Sequence, residues 1–191
     1  MDKYITNQDE NEILPNLLGL TDTIKIGESE FEGFLMAELL LSTNLNSRTK
    51  FNLKYILKIH KLALGHLYKF AGKYRTVNMS KGGFLFPSAM FISNNMKLLE
   101  SEILLKLPNK YENKLDLIKD IAKVHGELLF IHPFREGNGR TARLLANLMA
   151  RKQGFTVLNF DKIQFDDYVI AVQKVSEKDY SFMEKLIETI I

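Results

Sequence analysis

Two stretches of helical apolar spacing, over 114–131 and about 139–153, are separated by residues that neither helix can absorb. Leu117, Ile121, Val124 and Leu128 recur at intervals of three and four in the first stretch. Leu144, Leu145, Leu148 and Met149 do so in the second, where Gly154 is a natural stop. Between them reads Ile131-His132-Pro133-Phe134-Arg135-Glu136-Gly137-Asn138-Gly139-Arg140-Thr141-Ala142-Arg143. Pro133 disfavours the α conformation at His132, so the first helix ends there. Gly137-Asn138-Gly139 accepts the backbone angles of a tight turn and lets a ligand approach the main chain closely.

The rest of the chain reads as one helical domain over 1–191. Residues 51–70 place Leu53, Leu57, His60, Leu64 and Leu67 on one face. Residues 28–43 present Phe31, Leu35 and Leu39, with Phe34 alongside, and further helices are expected near 89–105, 164–175 and 179–190. The pattern changes between Gly72 and Pro87. Lys73-Tyr74-Arg75-Thr76-Val77 and Phe84-Leu85-Phe86 have strand-like content and flank the turn chemistry of Asn78-Met79-Ser80-Lys81-Gly82-Gly83. This predicts a β-hairpin projecting from a helical body.

Composition removes several function classes. With 191 residues, 46% hydrophobic and 26% charged, the chain suits a single globular core. A net charge of +3 is too small to argue for nucleic-acid binding. The absence of cysteine excludes disulfides, thiolate catalysis and Cys-based metal sites. Residues 1–10 lack the apolar core of a signal peptide, and no run of eighteen apolar residues exists. The expectation is a cytoplasmic protein that does not engage a membrane.

The break at 132–139 carries the chemistry. The first amides of the following helix lack partners and point outward, which suits phosphate. Arg140 and Arg143 share one face of its first turn, where cations oppose the helix dipole at a cost of a few tenths of a kcal/mol each. That placement makes sense if a multiply charged anion sits there. Glu136 could hold Mg²⁺ against the same phosphates. His132 at the rim suits a general base, and Phe134 is expected to turn into the core as an anchor. Taken singly these features are ordinary: a His before Pro is more often structural, and the Walker pattern is absent. Residue chemistry leaves open a nucleotide or phosphate site with a His base, or a solvated basic helix face. His60, His66 and His125 show no metal spacing, and His60 and His125 read as core or supporting residues.

The segment 132–143 matches at every fixed position the signature His-Pro-Phe-x-(Asp/Glu)-Gly-Asn-Gly-Arg-x-x-Arg of the Fic (filamentation induced by cAMP) family, which the chain therefore resembles. Phe70-Ala71-Gly72-Lys73-Tyr74-Arg75 and Asn78-Met79-Ser80-Lys81-Gly82-Gly83-Phe84 look like that family's strand and flap region, and Asp179-Tyr180-Ser181 like an element near its end. The likeness covers about 50–191 as a core, with 12–49 as an N-terminal helical extension.

The resemblance implies an all-α bundle with a small hairpin flap and a protein adenylyltransferase activity. His132 would take the proton of a target Ser, Thr or Tyr hydroxyl. Glu136 would bind Mg²⁺. Gly137, Asn138 and Gly139 would form the anion hole for ATP, and Arg140 and Arg143 would hold its terminal phosphates. The flap, through Lys81, Gly82, Gly83 and Phe84, would clamp the target backbone by strand addition. Family members also carry an inhibitory Glu that pairs with the second motif Arg. Its pattern there is Ser/Thr-x-x-x-Glu-Gly/Asn; Glu32-Gly33 matches only the Glu-Gly half, with Glu28 where Ser or Thr is expected, which makes Glu32 a candidate partner for Arg143. A separate antitoxin could supply the inhibitory helix instead. Phosphoryl transfer, phosphocholine transfer and AMP removal are rivals on the same fold, and an inactive binding module is a rival of another class. Phosphorylating members place Lys where this chain has Gly139, and a silent module would lack the His or the Glu.

Overall fold

The computed structural model describes residues 13–81 and 84–191. Seven α-helices follow in order among the described residues: α1 (Thr23–Thr43), α2 (Leu53–Leu64), α3 (Ile92–Glu102), α4 (Lys114–Ile131), α5 (Asn138–Lys152), α6 (Phe165–Val175) and α7 (Ser181–Ile190). A two-stranded antiparallel pair, β1 (Ser80–Lys81) and β2 (Phe84–Leu85), lies between α2 and α3. None of the helices is long and apolar enough to cross a membrane among the described residues. Local capping sets several starts. Asp22, Asn52 and Asn113 each accept a backbone N–H of the first turn of α1, α2 and α4.

The centre is the α4–α5 hairpin. Eleven residues of α4 and ten of α5 are buried, so these two helices are wrapped on most sides. The pair α1 and α2 packs against α5, while α6 and α7 pack against α4. Gly33 sets the approach of α1 to α2, because a Cβ there would lie 2.0 Å from the Ala63 carbonyl oxygen.

Three expectations need correction. The N-terminal helix does not bury Phe31, Leu35 and Leu39, which are all exposed; it buries Glu30, Gly33, Phe34, Ala37 and Leu41. Helix α2 ends at Leu64 rather than near residue 70, since the chain turns there and Tyr68 swings inward to donate to Glu30. The hairpin is shorter than its strand-like content predicts. Residues 73–77 form no strand, because the Arg75 amide donates to the Pro133 carbonyl and spends that segment's pairing on the α4–α5 break. The remaining helices fall within a few residues of their predicted bounds.

Two buried histidines act as neutral struts. The His60 ring stacks on Phe134 at 3.8 Å, accepts the Gly72 amide at Nδ1 and lies 2.9 Å from the Glu136 carbonyl through Nε2. Since Nδ1 accepts, Nε2 carries the proton and donates. Burial lowers its pKa to about 4. His125, on α4, bonds Tyr168 of α6 through Nε2, and burial likewise lowers it to about 4. His132 is lowered to about 3 by the same cause.

These depressed values have a consequence for acid stability. Between about pH 4 and 6.5 the unfolded chain binds protons at these positions that the folded chain refuses. Stability contributed there is complete above pH 6.5 and is lost as pH falls. The slope is on the order of 1 kcal/mol per pH unit for each histidine. Urea midpoints at pH 7 and pH 5 should therefore differ clearly, and His125→Gln should flatten the difference. Equal midpoints would show that these rings titrate normally. In a second measurement, Gly33→Ala should lower the melting temperature by several degrees, as an overpacking cost of about 1–3 kcal/mol; an unchanged melting point would show that α1 moves away without cost.

Candidate active site

The break between α4 and α5 is held shut by side-chain amide chemistry. Asn138 accepts the Phe134 amide at 2.8 Å and donates to the Phe134 carbonyl at 2.7 Å. Phe134 is fully buried beneath this ring against His60, as its position in a polar loop predicts. At one end His132 takes the left-handed conformation, with φ 52° and ψ 59°, and caps α4 through its amide to the Leu128 carbonyl. A non-glycine residue there is strained by about 1 kcal/mol. At the other end Gly137 has φ 74°, and a Cβ would stand 2.8 Å from the Leu64 methyl group and 3.2 Å from the Phe34 ring. Only glycine fits that position.

Helix α5 then starts without a side-chain cap. A Cβ at Gly139 would meet nothing closer than the Arg143 guanidinium at 3.6 Å, so the fold itself does not demand glycine there. The N-terminal turn is left open for a ligand against the backbone. This is the arrangement in which helix amides hold phosphate.

Charges ring that opening. Arg140 is 2.7 Å from Glu30 of α1 and 3.3 Å from Glu136, and its guanidinium lies over the Phe34 ring at 4.9 Å. Glu30 is buried and also accepts the Tyr68 hydroxyl at 2.6 Å. Glu136 accepts the Gly137 amide at 2.7 Å. Burial raises the Glu136 carboxyl above the usual carboxylate range and Glu30 adds to this, while the Gly137 amide and Arg140 pull it back. Arg143 is half-buried and reaches the Gly139 carbonyl at 3.3 Å through Nε.

His132 faces the flap. Its Nδ1 lies 3.1 Å from the Leu129 carbonyl and so carries the proton, which makes Nε2 the basic nitrogen. Burial holds the ring neutral, the Leu129 bond opposes that, and the charges of Arg75 and Lys81 reinforce it. The Phe86 ring stacks on the imidazole at 3.8 Å. Phe84 packs edge-on against Phe86 and Phe130, and Lys81 reaches over Phe165 at 5.9 Å. Gly82 and Gly83, also predicted as flap contacts, lie outside the described residues.

The structure thus gathers His132, Glu136, Gly137, Asn138, Gly139, Arg140 and Arg143 around one turn. Asn138 holds the turn through Phe134, so its side chain is committed to the loop rather than to an anion. Glu32 is not brought to the site. It is exposed, about 160° around α1 from Glu30. The carboxylate of α1 that reaches the motif is Glu30, and it reaches Arg140 rather than Arg143. Sequence reasoning missed Glu30, Arg75 and Phe86. Glu30 was detectable as the head of the stripe Glu30, Phe34, Ala37, Leu41, whereas Arg75 sits in a segment without periodicity. An open depression of about 490 Å³ near Arg151, Lys152 and Phe155 lies at the far end of α5, away from these groups.

Comparison with known proteins agrees with this geometry. The profile described as Fic/DOC family matches residues 50–150. The chain is 29% identical over 152 residues to the protein adenylyltransferase Fic of Drosophila grimshawi, covering 79% of this chain and 31% of that one. It is 29% identical over 157 residues to the protein adenylyltransferase VbhT of Bartonella schoenbuchensis, covering 81% and 32%. The chain therefore spans about a third of the length of these relatives. Among solved structures, the N-terminal FIC domain of Bep8 from Bartonella sp. 1-1C superposes with a TM-score of 0.78 at 22% identity, over 93% of this chain and 90% of that one. BepC from Bartonella tribocorum, with bound AMPPNP, gives 0.76 at 21% identity, over 94% and 92%. With the signature helix pair, its flap and more than half of its length matched in one profile, the chain belongs to the Fic/DOC family.

Proposed function

We propose that the chain is a protein adenylyltransferase that moves AMP from ATP to a Ser, Thr or Tyr hydroxyl of another protein. The observation that carries this is the pairing of an open α5 N-terminus, bare at Gly139, with a neutral imidazole whose Nε2 is the basic atom. The names of the curated relatives support it.

In this reading the target oxygen attacks the α-phosphorus while its proton passes to His132 Nε2. The bond from the α-phosphorus to the bridging oxygen breaks and pyrophosphate leaves. A positioned base of this kind contributes roughly 10²–10⁴ in rate. The α5 amides and Arg143 bind the phosphates. Arg140 joins them by exchanging a carboxylate for a phosphate oxygen. Glu136 is the residue that would hold Mg²⁺: it offers one half-buried carboxylate beside the open turn, and Mg²⁺ favours one or two carboxylates with phosphate oxygens. When bound, the ion neutralises charge on those oxygens. The flap residues Lys81 and Phe84 would line the target's approach, with Phe86 moving off the imidazole as the hydroxyl enters. A separate antitoxin and a cytoplasmic setting belong to the same reading.

Glycine at 139 favours this over phosphoryl transfer. ATP labelled at the α-phosphate, incubated with the protein and a cell lysate, should label protein, whereas γ-labelled ATP should not; His132→Ala should abolish the label. Transfer from γ would establish kinase chemistry instead.

Gly139→Ala separates ligand from fold. It should leave melting unchanged or raise it, since Ala is favoured over Gly in helices by about 1 kcal/mol. ATP affinity should fall about tenfold or more. Unchanged affinity would remove the nucleotide from this turn. Glu32→Gly, on the exposed face, should leave ATP affinity within about twofold, and a large gain would restore an inhibitory role to Glu32.

A further inference from the structure

Arg75 stands outside the signature, yet it is 4% exposed and faces no carboxylate in any described ion pair. Its guanidinium is satisfied by main-chain oxygens instead. Nε donates to the His132 carbonyl at 2.7 Å, one terminal nitrogen to Val77 at 2.6 Å, and the other to Pro87 at 2.6 Å. Its own amide donates to Pro133 at 2.8 Å. Val77 and Pro87 are the two feet of the flap, where the chain leaves and rejoins the helical body. The third carbonyl belongs to the strained left-handed residue that carries the imidazole. One planar fork with fixed donor directions therefore spans three segments; the two feet are also tied to each other, by Asn78 to Ser88 and Ala89 and by the Phe86 amide to Met79, but among the described side chains only the Arg75 fork bonds both feet and the His132 carbonyl at once.

We propose that Arg75 is a positioning residue that locks the two feet of the flap and the backbone of His132 into one unit, so that the surface receiving the target and the base that deprotonates it stay in register. This rests on the adenylyltransferase reading for its catalytic consequence, but not for its structural one. Lysine cannot replace the fork. It carries the charge but cannot direct three bonds in one plane toward separated carbonyls. Burial lowers the Arg75 pKa only to about 10, so the group remains a cation.

Two readouts test this. The chain has no tryptophan, so Phe86→Trp places a single indole against His132. Its emission should be blue-shifted and poorly quenched by iodide. In Phe86→Trp combined with Arg75→Lys or Arg75→Gln, emission should move to the red and iodide quenching should rise at least threefold, with far-ultraviolet circular dichroism unchanged. In the otherwise native chain, Arg75→Lys should keep ATP affinity and the KM for ATP within about threefold, while kcat for AMP transfer drops ten- to a hundredfold. Methylguanidinium added to Arg75→Ala should restore part of the rate. An indole that stays shielded in both double variants would overturn the proposal, as would a native kcat in Arg75→Lys. If Arg75→Gln unfolds, Arg75→Lys decides alone. If the wild-type chain itself transfers no AMP, the functional reading fails, and the fluorescence result still decides the role of Arg75.

Discussion

The ring that Asn138 closes on Phe134 is the contact on which the site depends. Six residues join two helices here, and Phe134, fully buried among them, can turn neither its amide nor its carbonyl to water, so both must be bonded within the protein. Asn138 supplies both an acceptor and a donor from one side chain, and it does so from the first residue of α5. With Phe134 bonded by Asn138, the first amides of α5 carry no capping side chain. The left-handed His132 and Gly137 mark the ends of the same ring. Strain at His132 of about 1 kcal/mol is offset by burial of Phe134, whose full sequestration contributes roughly 2–3 kcal/mol.

Around this ring the supporting groups come from distant parts of the chain and act on main-chain atoms. His60 reaches the Glu136 carbonyl, and Arg75 reaches that of His132. The loop is thereby fixed at both ends from behind, and of the side chains at the opening Glu136 adds a bond to the Gly137 amide. Glu136, Arg140 and Arg143 are left at the rim, half-buried, where their charges act through a medium less screening than water. His132 is kept neutral by burial and carries its proton on Nδ1, a state that leaves Nε2 able to accept one.

Much of this was legible in the sequence because it is local. Proline at 133 and glycine at 137 mark the break, the spacing of Leu117 to Leu128 bounds α4, and the signature residues lie within twelve positions of one another. What was illegible depends on choices that periodicity cannot make. Helix α1 is apolar on two sides, so the run Phe31, Leu35, Leu39 competed with Phe34, Ala37, Leu41. The decision falls to Gly33, which alone lets the backbone approach Ala63. That choice turns Glu30 inward and Glu32 outward, and so it decides which carboxylate meets the motif. Arg75 escaped for a different reason. Its neighbours have strand-like content, but its amide is committed to Pro133, a partner 58 positions away that no local pattern reveals.

The charge arrangement also explains why a helix start burdened with two arginines is tolerable. Cations at that end oppose the dipole of α5, and the exposed amides add to the positive potential. Glu30 and Glu136 answer it, both within reach of Arg140. Two carboxylates so close to one guanidinium repel each other, which is why Glu30 raises the pKa of Glu136. A polyphosphate entering the turn brings its own negative charge to the amides and arginines. It would therefore relieve one electrostatic conflict, that between the cations and the dipole, and sharpen the other, that between the carboxylates and the new anion. In the proposed function, a divalent cation held by Glu136 would resolve the second conflict. On that reading the site would be closer to balance with anion and metal together than with either alone, and the two should bind with positive linkage.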